Sequence, residues 1–420
     1  MKKLAVMAAL VATMGLAHAN PQIYGSLNMS LVKQSGTGLD TTNMNSGVLQ
    51  PSTLGFRARE SLGGGYGAGM NLETAINLVN GTVGNAQNGV GGSSAQNNYA
   101  STSGTSSLFH RQANIQVTTP YGEAKFGRQP TPMFTASSVV DSIALSSGGM
   151  SQVMANLSNP GLSGNGTLSG VRQPLNPNLN VSTVSGGPWA FTNGVGFRTK
   201  EYAGFSVNAI AGFAPSTAGT SNSDDHQATQ DIVVNYRNGP VTAMLGSQNI
   251  NDNIGSKLSQ TNIASLGYAV TKQLTVKAGY VETKFGKCSS TAVGGNCQNT
   301  ALAISSAGVV TAAVNSPVGT AYGTDFRATA IGASYQATPQ SRIALQHTAV
   351  QDLITVGNKV GMTSLYADYD FSKSVRAYTL VSVNDNSGKA MFGPIRGQSA
   401  TTSTRGEAIT AIAVGMRYVF

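Results

Sequence analysis

Histidine, cysteine and the charged residues are the side chains here that could do chemistry. Beyond residue 19 there are three histidines, His110, His226 and His347, and none stands in a readable catalytic pattern. Nucleophilic catalysis needs a nucleophile and a base brought together, and long serine-rich segments make chance pairings of Ser and His easy. No catalytic residues are assigned and the chain is read as not an enzyme. Cys288 and Cys297 lie nine apart in a Gly, Ser, Thr and Asn-rich segment with no histidine or acid beside them. That context argues against zinc and favours a loop disulfide over two free thiols. Gly63-Gly64-Gly65 is followed by neither a Walker lysine nor a dinucleotide fingerprint, so it reads as a tight turn. No metal or cofactor is implied. What remains is charge: Arg57, Arg59, Arg198, Arg237, Lys277, Arg342, Arg376 and Arg417, with Glu73, Asp231 and Asp368, all fall on the polar phase of alternating segments. Taken singly, each reads as a solvated residue or an ion-pair partner. As a set, they can focus a positive potential in a narrow space and favour anions. No Lys/Arg run or basic-aromatic module points to nucleic acid.

The elements that would position these charges are strands. Val375, Ala377, Thr379, Val381 and Val383 alternate with Arg376, Tyr378, Leu380 and Ser382, leaving Leu380 as the one apolar residue on the polar face. Near the end, Ile412, Val414, Met416, Tyr418 and Phe420 alternate with Ala411, Ala413, Gly415, Arg417 and Val419. A slip of one residue would put an arginine into lipid at about 2 to 4 kcal/mol near the midplane, so the faces are fixed. The same pattern predicts strands near 22–33, 52–60, 65–79, 108–118, 123–131, 189–199, 204–214, 228–238, 240–250, 259–270, 273–285, 326–337, 340–350, 360–371, 374–384 and 408–420. The fold class is therefore all-β, a sixteen-stranded antiparallel transmembrane β-barrel, since only an even, closed set leaves no edge and returns both ends to one side. Connections alternate short and long, as short periplasmic turns and long external loops would. The long ones cover roughly 80–107, 132–188, 215–227, 286–325 and 385–407. Tyr121, Tyr202, Tyr236, Tyr268, Tyr335, Tyr369, Phe371, Tyr418 and Phe420 gather beside the short turns, as an interfacial girdle would.

Composition agrees. The 420 residues include 51 glycines and only 10% charged residues, against about 25% in ordinary soluble proteins, which disfavours a soluble cytoplasmic enzyme. Mean hydropathy of -0.05 and the lack of an apolar run of about 18 residues after the first segment exclude a helical membrane protein. Met1-Lys2-Lys3, the apolar stretch Leu4 to Leu16, and Ala17-His18-Ala19 form a secretory signal peptide over residues 1–19, leaving the barrel to residues 20–420.

The chain resembles the general diffusion porins of Gram-negative outer membranes, in their betaproteobacterial form. The residues that carry this are Ile23-Tyr24-Gly25, Gly55-Phe56-Arg57 through Glu60-Ser61-Leu62-Gly63-Gly64-Gly65, Leu72-Glu73, Phe109 to Ala113, Tyr121-Gly122, Phe126-Gly127-Arg128-Gln129, and Val414 to Phe420. The resemblance implies a homotrimer of water-filled barrels in the outer membrane, meeting lipid and lipopolysaccharide, and passive diffusion of small hydrophilic solutes and ions. It implies that residues 132–188 fold into the pore as a constriction, and that assembly machinery reads the terminal Tyr418 and Phe420. Arg57, Arg111 and Arg128 match family pore positions, while Thr53 replaces another family arginine and Arg59 is added by parity. Strict alternation puts Arg111 with Ala113 and Ile115, and Arg128 with Phe126, on the outward face. A bulge, the rim or a subunit contact are the alternatives. The constriction loop carries one acid, Asp141, and one base, Arg172. The residues assigned to the pore are Arg57, Arg59, Arg111, Arg128, Asp141, Glu73, Lys277, Arg342, Arg376 and Arg417, with a preference for anions. A substrate-selective porin and an exported adhesin or β-helix are the other readings, the last disfavoured because no short repeat is present.

Overall fold

Alternation of large outward and polar inward side chains builds every long strand. The computed structural model describes residues 21–81, 83, 108–109, 111–143, 147–157, 166–167, 191–213, 229–251, 257–286, 300–304, 310–315, 325–395 and 405–420. The expected signal peptide, His110, His226, Arg172, Cys288 and Cys297 lie outside the described residues. The strands are β1 (Gln22–Gly36), β2 (Leu39–Ser46), β3 (Thr53–Gly63), β4 (Tyr66–Ala75), β5 (Gln112–Thr119) and β6 (Gly122–Pro130), followed by helices α1 (Pro132–Val140) and α2 (Met150–Leu157). Next come β7 (Gly166–Thr167), β8 (Phe191–Thr199), β9 (Phe205–Gly212), β10 (Thr229–Asn238), β11 (Val241–Asn251), β12 (Lys257–Ala269) and β13 (Leu274–Phe285). The last are β14 (Thr300–Ile304), β15 (Val310–Asn315), β16 (Phe326–Gln336), β17 (Ser341–Asp352), β18 (Lys359–Asp370), β19 (Val375–Ser387), β20 (Met391–Phe392) and β21 (Ile409–Val419).

Seventeen of these form one antiparallel sheet. The first half of β1 pairs with β3 and its second half with β2, so β2 and β3 are one wall strand interrupted at residues 47–52, and the wall has sixteen staves. β1 also pairs with β21 along eleven residues, from Ser26↔Val419 to Gly36↔Ile409, and this closes the barrel. Gly25 and Phe420 complete the seam by exchanging backbone hydrogen bonds of 3.0 and 3.1 Å. All sixteen expected strands are present. The sequence reading missed β2, the two helices and the small pairs β14–β15 and β7–β20. The three consecutive glycines after Leu62 all take positive φ (80°, 60° and 82°), a backbone region that only glycine enters freely, and form the tight turn between β3 and β4.

The two faces of the wall differ as expected. On β18, Val360, Met362, Ser364 and Tyr366 are buried inward while Leu365 and Tyr369 are exposed outward. Exposed aromatics ring the short-turn end: Tyr66, Tyr121, Tyr202, Phe205, Tyr268, Tyr335, Tyr369, Phe371, Tyr418 and Phe420. The buried apolar core lies within the bore, where inward residues of the wall meet the two helices. Leu380 belongs to this inner packing, fully buried with Ile143, Tyr366 and Tyr378. Its apolar character on the polar face marks where the loop rests.

Candidate functional site

Strands β10 to β18 carry an apolar patch, including Val233, Met244, Ile263, Val281, Phe326 and Ala328, on which Met133, Ala136 and Val140 of α1 and Met150, Val153 and Met154 of α2 are seated. Thr131 caps α1 by accepting the Phe134 N–H at 3.1 Å, and Pro132 opens it, a position where the missing N–H costs nothing. From the wall, Asp231 accepts the Met133 N–H at 2.8 Å, placing a carboxylate at the positive end of the helix. At the other end Lys277 donates to the Asp141 carbonyl at 2.7 Å and Arg342 to the Ile143 carbonyl at 3.0 Å. Two wall cations thus meet carbonyls where the helix dipole is negative. Gly279 and Gly332 let the loop approach: a Cβ at Gly279 would stand 2.1 Å from Val140 Cγ1, and one at Gly332 2.6 Å from Ser142 Oγ.

Asp141 is buried, and its carboxylate accepts the Met150 N–H at 2.6 Å, the Ser151 N–H at 3.1 Å, the Ser151 hydroxyl, and Gln346 Nε2 at 2.9 Å. It therefore caps α2 rather than presenting a free charge to the lumen. Burial pushes its carboxyl above the usual carboxylate range, against the lowering effect of those hydrogen bonds. The last long connection joins the same packing. β20 pairs with β7, Gln152 donates to the Gly393 carbonyl at 2.6 Å, and Phe392 is fully buried beside α2.

Charged residues line the bore mainly toward the short-turn ends of its strands, as Glu123, Arg198, Arg237, Arg342, Asp370, Arg376 and Arg417 do. Arg376 binds Asp370 through two nitrogens at 2.6 and 2.8 Å and also reaches Asp368, which is shared with Arg342 and Tyr366. Arg417 stands directly across the strand pair from Arg376 and donates to Ser26 at 3.0 Å. Arg57 donates to Gln22 at 2.9 Å and lies over the Tyr24 ring, while Arg59 pairs with Glu123, which also meets Lys125. Glu73 is buried and receives Arg111 at 2.7 Å, Tyr24 at 3.0 Å and Gln112 at 3.2 Å. Arg111 thus turns inward, off the outward face that strict alternation would give it, because it sits in a bend just ahead of β5 where the pleat no longer governs direction. Arg128 is half-buried next to Gly127, whose φ of 111° interrupts the pleat of β6. Arg198 and Arg237 lie at inward positions on β8 and β10. His347 faces outward and shares a hydrogen bond with Thr363 at 2.9 Å. Tyr418 and Phe420 stack on the outer face beside the seam.

The charge balance follows. Glu73, Glu123, Asp368 and Asp370 are held in ion pairs, and Asp141 and Asp231 are held at helix ends. Among the described residues Arg57, Arg198, Arg237 and Arg417 have no carboxylate within ion-pair distance. Glu123, Lys125, Asp370 and Gln346 were missed in the sequence reading, although the inward parity of β6, β18 and β17 marks them.

A closed transmembrane wall with a polar, charged interior defines an outer-membrane channel. The chain belongs to the Gram-negative porin family, whose model matches residues 5–389. No curated protein sequence matches it. Among solved structures it is similar to an anion-selective porin from Comamonas acidovorans, with 16% identity, 96% of this chain and 100% of that chain covered, and a TM-score of 0.65. It is also similar to OmpT of Vibrio cholerae in a trimer form (14% identity, 96% and 99% covered, TM-score 0.57) and to OmpF of Salmonella typhi in complex with daunomycin (13%, 95% and 97%, 0.55). The protein is a channel of the Gram-negative outer membrane.

Proposed function

We propose that the protein is a general porin through which small hydrophilic solutes diffuse passively, anions more readily than cations, and that it works as a homotrimer. One observation carries the anion preference: the named inward acids are engaged in ion pairs or helix caps, while four inward arginines have no carboxylate partner. A lumen potential of only about 0.5 kcal/mol per unit charge favours anion over cation roughly fivefold, because the two signs respond oppositely. The segment that carries α1 and α2 narrows the bore, and solutes pass the arginines of the wall, among them Arg57, Arg376 and Arg417. Lys277, Arg342 and Asp141 set the calibre by holding the loop, and Tyr418 and Phe420 serve as the assembly signal.

The test is the reversal potential of the purified protein in a planar bilayer across a KCl gradient. Chloride preference with conductance steps in threes is expected. Cation preference would overturn the charge assignment, and steps that never group in threes would overturn the trimer.

A further inference from the structure

The charges of the inner wall are spread unevenly along the bore. Arg198 on β8, Arg237 on β10, Arg342 on β17, Arg376 on β19 and Arg417 on β21 each stand within two residues of the short-turn end of their strand. Two of them open a strand and three close one, so their level is set by the barrel and not by a local run of sequence. Within three residues of the same ends Lys125 and Lys277 join them, and the inward carboxylates there are Glu123, Asp368 and Asp370. Seven cations thus face three acids at this mouth. Arg342 and Arg376 are tied to Asp368 and Asp370, and Lys125 to Glu123. Arg198 and Arg237 are exposed, with no carboxylate partner among the described residues. The exposed turns at this end add Lys200, Lys272 and Lys373 against Glu201.

The long-loop end differs in charge and in packing. Its inward carboxylates, Glu73, Asp231 and Asp352, are buried. Arg111 is tied to the first, the second caps α1, and Asp352 accepts the N–H groups of Ile354 and Thr355, each at 2.8 Å. Gln34 of β1 and Asn384 and Asn386 of β19 are uncharged inward residues toward the same end, all buried. Met133, Met154 and Phe392 share one buried cluster with Ile250, Phe326 and Val360, which lie at the long-loop ends of β11, β16 and β18. The passage is therefore open and basic at the short turns, and narrowed and without excess positive charge toward the long loops.

A fixed positive potential in the mouth admits anions and repels cations, while the narrowed stretch passes both signs. With the long-loop side positive, anions leave the mouth into that stretch, and cations arriving from the far side are turned back at the mouth. Salt accumulates between the two and the current rises. The opposite polarity draws both ions out of the stretch, and the current falls. We propose that this axial asymmetry makes the channel rectify, the favoured direction being anion flow from the short-turn side to the long-loop side. The inference rests on the channel reading, yet direction is separate from ion preference: an evenly basic bore would prefer anions and still conduct equally both ways.

The test is the single-channel current–voltage curve of the whole protein with equal KCl on both sides. The short-turn side is identified by a fluorescent antibody to a tag fused ahead of Gln22, where β1 begins. In about 0.1 M KCl, where charges are screened over about 10 Å, the current at about 100 mV should be about 1.5-fold larger or more with the long-loop side positive. In about 1 M KCl, where screening shortens to about 3 Å, the ratio should approach one. R198Q/R237Q should lower the ratio. R198E/R237E/R417E, which leaves four cations against six acids at the mouth, should reverse its sign. K33Q, on the outer face of β1 where Lys33 pairs with Asp40, should keep the wild-type ratio. Heat resistance of each variant reports whether its barrel has folded. A symmetric curve in about 0.1 M KCl, a ratio indifferent to salt, or the wild-type sign in a folded R198E/R237E/R417E would each overturn the proposal. Loss of chloride preference in the reversal potential, with rectification intact, would overturn only the anion reading, and absence of any conductance would overturn both.

Discussion

Replacing Gly279 with alanine tests whether α1 is seated on the wall. The new Cβ would stand 2.1 Å from Val140 Cγ1, while ordinary contact begins at 3.4 Å, so the shortfall is 3.4 − 2.1 = 1.3 Å. The wall strand is hydrogen-bonded on both sides, to β12 and to β16, so the helix is the partner that must move. Overpacking of this kind costs about 1 to 3 kcal/mol, and the displacement is directed into the lumen. Single-channel conductance of G279A should fall and the thermal midpoint of the folded barrel should drop. V140A removes the offending methyl groups at about 1.5 kcal/mol of lost burial. Because the two residues touch, V140A/G279A should conduct better than G279A alone, with a coupling of about 1 kcal/mol or more. Wild-type conductance and stability in G279A, or strict additivity of the two changes, would refute the seating of α1 on β13.

Two further outcomes follow from the same packing. Asp141 has a folded pKa above its unfolded value, so its contribution to stability is fully present below the unfolded carboxylate pKa and is lost as pH rises through the raised folded value; the midpoint of wild type relative to D141N should therefore decline with rising pH over that window and then level off, as thermal unfolding across a pH series will show. Phe392 is fully buried between the last long connection and α2, so F392A should destabilise that contact by about 3 to 5 kcal/mol and raise open-channel current fluctuation without unfolding the barrel, measured by bilayer recording beside heat-resistance of the folded form.

The wall was legible in the sequence because its two solvents impose a strict period of two. Arg376 and Arg417 fix the inward phase of β19 and β21, and each neighbouring strand must then match it. Leu380 was read as a flaw in that pattern, yet it shows where a second layer covers the wall. The interior was less legible, since residues 132–188 carry no sustained periodicity. The opening of α1 did leave a local signal, Thr131 followed by Pro132, the cap and first-turn pair of a helix. No local signal exists for α2, which is capped by Asp141 from nine residues away. Nor does one exist for the Gln152 contact, which joins residues 241 apart in the chain. Arg111 escaped the alternation rule because it stands one residue outside the strand, and β2 escaped because Asp40 to Asn43 are polar on both phases. Asp141 looked like the acidic side of a constriction; only its neighbours reveal that its charge is spent on holding a helix.

The helices meet the wall in a bore open to water, while the outer surface of the same wall is solvated by lipid chains. Hydrophobic attraction therefore holds the loop in place but does not hold the staves together, which rely on backbone hydrogen bonds. Cooling, pressure and urea weaken apolar burial in water, and in this architecture they act first on the inner seat. The width of the passage should thus respond to temperature and cosolvent well before the cylinder itself does.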